Sequence, residues 1–198
     1  MAKNTQPVLK RCRTLGVSPA AMGYSKTSNK NPGGQRRTKK SEYGLQLTEK
    51  QKVKFVYGIL EKQFRMYYEK AERMSGNTGE LLLSLIERRL DNVVYRLGFA
   101  ATRREARQLV NHGHYTVNGK RVNIPSYLIS VGDVIAVCEK SVSNNFFKAL
   151  KEADTFVAAP KWLDRDKNTL TGKVVAMPTK ADIDFDIAVN LIVELYSK

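Results

Sequence analysis

Apolar side chains recur at helical spacing in three stretches of this chain. Val53, Val56, Ile59, Leu60, Phe64, Tyr67, Ala71 and Met74 follow intervals of three and four, which predicts a helix opening near residue 48. Thr48 and Gln51 fit a capping box at its start. Gly58 interrupts the run, as a weak point or a place of close packing. Leu82, Leu85 or Ile86, Leu90, Val93, Val94 and Leu97 predict a second helix over about 80–97, ended by Gly98. Arg88, Arg89, Asp91 and Arg96 fall largely off its apolar face. A third, short helix lies in "TRREARQLVNHG", with Thr102 and Glu105 as a capping box and Gly113 as a left-handed stop.

The period then changes from helical to alternating. "YTVNGKRV" places Asn118-Gly119 between alternating apolar residues, a strong two-residue hairpin signal. "SVGDVIAV" turns at Gly132-Asp133 into a strand over 134–137. A helix around Phe146–Ala153, a loop holding Pro160 and Trp162, and a strand near Lys173–Met177 follow. The closing "DFDIAVNLIVELYSK" is apolar, and periodicity leaves helix or strand open. Residues 1–47, rich in Pro, Gly, Asn and Ser, read as irregular, anchored to the fold by Tyr43, Leu45 and Leu47. No internal repeat is visible. The expected fold class is α+β: a helical domain, two short helices leading into a small antiparallel sheet, and an irregular basic arm.

Charge changes this picture from a generic domain to a polyanion binder. The 198 residues carry 34 Lys/Arg and 19 Asp/Glu, a formal net charge of +15. The excess is uneven: residues 1–54 hold net +11, 55–100 net +1, 101–140 net +3, and 141–198 are neutral. A field of that sign attracts nucleic acid above all. A membrane-surface protein is the competing reading, but no apolar run approaches the about 18 residues a span needs. The N-terminus lacks an apolar signal-peptide core. Cys12 and Cys138 stand far apart, which argues against a disulfide framework and for a reducing compartment. Arg103 and Arg104 open their helix against its own dipole, and Arg107 lies one turn on. A bare helix end with arginines suits a phosphate.

Catalytic constellations are missing. No Walker loop and no G-x-G-x-x-G occurs in the sequence. His112 and His114 are its only histidines, and metal binding there would need further ligands. Asp182, Asp184 and Asp186 more often cap a helix or face solvent than bind metal. The expectation is a non-enzyme without cofactor or metal.

"RRLDNVVYRLGFAATRREARQLVNHGHYTVNGKRVNIPSYLISVGDVIAV" resembles the S4-type RNA-binding module. "PGGQRRTKKSEYGLQLTEKQKVKFVYGILEKQFRMYYEKA" and "LIVELYSK" extend the likeness to the bacterial S4 family of small-subunit ribosomal proteins, over essentially the whole chain. The resemblance implies a helical domain, residues 48–87 plus 184–198, with the RNA-binding module inserted over 88–183 and the basic arm at 1–47. It turns the closing segment into a helix. It implies a primary binder of small-subunit ribosomal RNA that nucleates assembly and contributes to translational accuracy, located on the cytoplasmic ribosome. Neighbouring ribosomal proteins and messenger RNA near its path into the subunit are the further implied partners, with no membrane and no homo-oligomer. Many relatives carry four zinc-binding cysteines in the arm; here Cys12 stands alone, so zinc is not carried over. RNA-modifying enzymes and stand-alone factors for stalled ribosomes share the module. The former need a catalytic domain this chain has no room for, and the latter do not need its flanking regions.

The expected RNA contacts follow the basic clusters. In the arm they are Lys10, Arg11, Arg13, Arg36, Arg37, Lys39, Lys40 and Tyr43; after it come Lys50, Lys52, Lys54 and Arg65. In the module they are Arg88, Arg89, Arg103, Arg104, Arg107, His112, His114, Asn118, Lys120 and Arg121. Phosphate backbone rather than base edges is the expected target, since A-form RNA displays phosphates and 2′-hydroxyls.

Overall fold

The computed structural model describes residues 6–26, 41–152, 159–166 and 169–197. The chain divides into two compact units, Met1–Leu82 with Ile183–Lys198, and Leu83–Asp182. The first helices are α1 (Val8–Leu15), α2 (Glu42–Tyr57), α3 (Glu61–Glu72), α4 (Thr78–Glu87), α5 (Leu90–Arg96) and α6 (Arg103–Asn111). Then come β1 (Tyr115–Val117), β2 (Lys120–Arg121), β3 (Val134–Val137), α7 (Glu139–Val142) and α8 (Asn145–Glu152). The chain continues through β4 (Leu163–Asp166) and β5 (Thr171–Val174) to α9 (Val189–Tyr196).

In the first unit, the helix expected to open at Thr48 begins earlier, at Glu42. Ser41 caps it, accepting the Gly44 N–H at 3.2 Å, while the Thr48 hydroxyl donates back to the Gly44 carbonyl at 2.7 Å. The long run read as one helix is two. Gly58 takes φ 64° and closes α2, and α3 restarts beyond Leu60. Upstream, where irregular chain was expected, α1 buries Cys12 and Leu15, and the Cys12 thiol donates to Met22 Sδ at 3.7 Å. Tyr43 and Leu45 are exposed rather than anchoring. Gln46 takes that role, buried and donating to Glu42 at 3.3 Å and to Glu194 of α9 at 3.2 Å.

The closing segment is a helix, and Tyr196 fixes it. Its ring stacks on Tyr68 at 4.6 Å between centroids, and its hydroxyl donates to Glu61 at 2.8 Å. Glu61 also receives Lys50 at 3.0 Å, and Lys54. Partial burial works to raise Glu61, but hydrogen bonds from Lys54, Lys50 and Tyr196 overcome it and hold the carboxyl down at about 2.

In the second unit, the expected 80–97 helix is also broken. Arg89 is extended, with ψ 136°, and bridges Leu128. Loop carbonyls take the first amides of α5: Leu90 donates to Tyr127 at 2.8 Å and Asp91 to Pro125 at 3.1 Å. The five strands form one antiparallel sheet in the order β2-β1-β3-β5-β4. Asn118 and Gly119, at φ 50° and 77°, make the expected β1–β2 turn. β4, read as loop, is an edge strand: Leu163 is the only apolar residue of its "LDRD", so alternation gives no signal there. Val117, Ile135, Val137 and Val174 bury against Leu90, Val93, Val94 and Leu97 of α5 and against Ala106 and Val110 of α6.

One close approach tightens this core. A Cβ on Gly172 of β5 would lie 2.5 Å from both Cδ atoms of Leu97. Gly172→Ala is expected to cost roughly 1–3 kcal/mol by overpacking. Thermal melting checks it, and an unchanged midpoint would mean that Leu97 repacks freely. Among the described residues no helix is long and apolar enough to cross a membrane.

Candidate nucleic-acid interface

α6 presents two unlike faces. At its start the Thr102 hydroxyl accepts the Glu105 N–H at 3.2 Å, and Glu105 accepts the Ala101 N–H at 2.7 Å, one residue further back than a capping box requires. Gly113, at φ 72°, follows the last turn. Arg104, Gln108 and His112, four residues apart, are all exposed and form an outward stripe about 12 Å long.

The inward face buries an arginine beside the apolar Ala106 and Val110. Arg103 is only 8% exposed, lies 4.3 Å from the Tyr95 ring centroid and donates from Nε to Asn92 Oδ1 at 2.8 Å. Asn92 donates to the Glu87 carboxylate at 2.6 Å and to its carbonyl at 2.9 Å. Glu87 accepts from Arg96 at 2.8 and 3.2 Å. Arg89 is 0% exposed and grips both oxygens of Asp91, at 3.0 and 2.7 Å. Arg107, half-buried, reaches within 3.9 Å of Asp91. Arg89 and Arg103, expected as RNA contacts, are therefore interior residues. The break at residue 89 turns "ERRLDN" inward, where charge is stable only when paired. Asp91 and Arg96 are corrected in the same way, from off the apolar face to buried.

The hairpin meets the far end of α6. Arg121 donates from Nε to the Gly113 carbonyl at 2.8 Å and from Nη2 to the His112 carbonyl at 3.0 Å, closing a helix end that would otherwise leave acceptors bare. Lys120 beside it is exposed. Asn118 donates to Asp133 at 2.8 Å and accepts the Val134 N–H at 2.9 Å, so its amide serves the turn. His114 lies half-buried, with Nδ1 at 2.9 Å from the Ser141 hydroxyl and its ring 5.7 Å from that of Phe147. Burial, with His112 and Arg121 nearby, holds it below the usual histidine value.

The other expected residues lie apart from this cluster. Arg88 donates to the Ile129 carbonyl at 2.7 Å and to Ser130 at 3.3 Å. Lys50 and Lys54 hold Glu61, and Lys52 pairs with Glu49 at 2.7 Å, so these three are engaged within the first unit. Arg65 is exposed and pairs with Glu69 at 3.1 Å. On α1, Lys10 and Arg13 are exposed and Arg11 is half-buried; Tyr43 is exposed. Arg36, Arg37, Lys39 and Lys40 lie outside the described residues. Among the described residues no group of three or more His, Cys, Asp and Glu is placed to hold a metal ion.

Comparison with known proteins gives this geometry a context. Residues 88–135 match a family model described as the S4 domain, and residues 3–87 match one described as the ribosomal protein S4/S9 N-terminal domain. The small ribosomal subunit protein uS4 of Fusobacterium nucleatum is 52% identical over the full length of both chains. Its counterpart in Lachnospira eligens is 54% identical over the same span. That of Acetivibrio thermocellus is 58% identical over 95% of this chain and 88% of its own.

The chain belongs to the uS4 family. Within its S4 domain fall α5, α6, β1 and β2, and with them the whole outward stripe and the hairpin tip. The uS4 module also contains most of the supports that sequence reasoning missed: Asp91, Asn92 and Tyr95. Their signal was present, since an acid and an amide inside an apolar helical run imply buried partners. Ser141 lies beyond the matched stretch and carried no signal of its own.

Proposed function

We propose that this chain is a structural protein of the small ribosomal subunit that binds its ribosomal RNA through α6 and the β1–β2 hairpin. Membership of the uS4 family supports the ribosomal role and the RNA-binding activity. The choice of face rests on one observation: exposed Arg104, Gln108 and His112 run toward Lys120 and Arg121 on a helix whose other side is turned inward, with Arg103 bonded to Asn92 and Arg107 near Asp91. Arg104 works against the dipole of α6, and phosphate docking there repays that cost. The basic residues of the 1–47 arm, net +9, add phosphate contacts and counterion release on the same RNA. The protein binds early and nucleates assembly, contacts neighbouring ribosomal proteins and the messenger's path, and through those contacts affects accuracy. It catalyses no reaction, needs no cofactor or metal, and acts as a single copy on the cytoplasmic ribosome.

Arg104→Ala combined with Lys120→Ala tests the face. Removing one phosphate-binding cation is expected to lower the slope of log affinity against log salt by about 0.7–0.9, so the pair removes close to two phosphates' worth. Filter retention across a salt series reads this, with melting measured on the same samples. An unchanged slope with intact folding would place the RNA on another surface.

A further inference from the structure

Three basic groups from separate elements converge where α6 ends. His112 closes the helix, Arg121 reaches across from β2 to the carbonyls of His112 and Gly113, and His114 stands 6.0 Å from His112 between ring centroids. We propose that His112, His114 and Arg121 form a phosphate subsite that takes up a proton when RNA docks, so that RNA affinity rises as pH falls. This rests on the RNA-binding reading above and adds the regulation of that site.

The surroundings set the sign. Facing His114 are His112 from α6, Arg121 from β2, the Ser141 hydroxyl from α7 and the Phe147 ring from α8. The charged residues of α7, Glu139 and Lys140, and Lys148 of α8 are exposed. Burial and the two neighbouring bases disfavour the imidazolium in the free protein, so His114 is neutral near pH 7. A phosphate placed beside Arg121 reverses that balance, because an opposite charge nearby favours the protonated ring. The group whose pKa rises in the complex gives binding free energy that is fully present below the free-state pKa. That contribution is lost as pH rises through the bound-state pKa. The Ser141 hydroxyl at 2.9 Å accommodates either state, accepting from a protonated Nδ1 and donating to a bare one.

The position of His112 makes the coupling local to the stripe. It occupies the same helical row as Arg104 and Gln108, at steps of about 6 Å, so an RNA strand following the row ends at the histidine pair. The proton taken up at His114 reports docking along the whole row, not contact at a loose side chain.

The test uses the full chain and transcribed small-subunit ribosomal RNA at constant ionic strength. Affinity is measured by filter retention from pH 8.5 to 5.5. One proton taken up gives a slope approaching about tenfold per pH unit between the free and bound pKa values. The expected result is a rise in affinity as pH falls across this range, flattened in His114→Gln and reduced in His112→Gln. The second variant is exposed and guards against loss of fold at His114. A wild-type profile without slope overturns the proposal, as does the wild-type slope surviving in both folded variants. Absence of RNA binding at every pH would instead sink the RNA-binding reading beneath it.

Discussion

Glu87→Ala is expected to lower the stability of the 83–182 unit by about 3–5 kcal/mol, the usual cost of removing one member of a buried ion pair. Glu87 is 1% exposed, and its carboxylate receives Arg96 twice and Asn92 once. Asn92 in turn holds Arg103, so one deletion loosens two arginines and the inner face of α6. The protein's single tryptophan, Trp162, is buried in this same unit, which makes its fluorescence a specific reporter in denaturant. Glu87→Gln keeps an acceptor and loses the charge, and an intermediate cost is expected. Screening by salt changes little, because the pair is withdrawn from solvent. A loss under about 1 kcal/mol for the alanine variant would mean that the pair contributes no more than a surface one.

Gly113→Ala strikes both the fold and the proposed RNA face. At φ 72° an L side chain costs about 1–2 kcal/mol, and the new Cβ would collide with the Arg121 guanidinium. Displacing Arg121 uncovers the carbonyls of His112 and Gly113, for a combined loss of about 2–4 kcal/mol. RNA affinity falls with it, since Arg121 and the two histidines are set by that contact. A double variant with Arg121→Ala separates the contributions: the collision vanishes and the backbone cost remains, so the two losses are less than additive. Strict additivity in Trp162 fluorescence would show that Arg121 moves aside without cost.

Local signals with a single physical cause were legible in the sequence. Asn118-Gly119 required positive φ twice, and the hairpin formed there. Gly113 marked a helix end because only a left-handed residue closes it cheaply. The breaks at Gly58 and at Arg89 were not legible, because the apolar period continues across both. At Gly58 a left-handed glycine closes α2, and at residue 89 the loop carbonyls of Tyr127 and Pro125 replace the missing helical acceptors. The helix start at Ser41 was hidden by a second plausible cap at Thr48. Of the residues that counting charge singled out, Arg104, Lys120 and Arg121 are exposed. The count misplaced Arg103, because charge in a sequence does not reveal which side of a helix it faces when both sides carry arginine, and Arg89, because the break that turns it inward left no signal.

The bond between Gln46 and Glu194 joins residues 148 positions apart, and α2 finds its main helical neighbour in α9. On a chain emerging from its own synthesis, α2 waits exposed while everything from α3 to β5 is made. The 83–182 unit holds all its strands in one stretch and has its partners at hand as soon as that stretch emerges. Order of manufacture thus becomes order of folding: the 83–182 unit matures first, and the first unit closes only when α9 arrives.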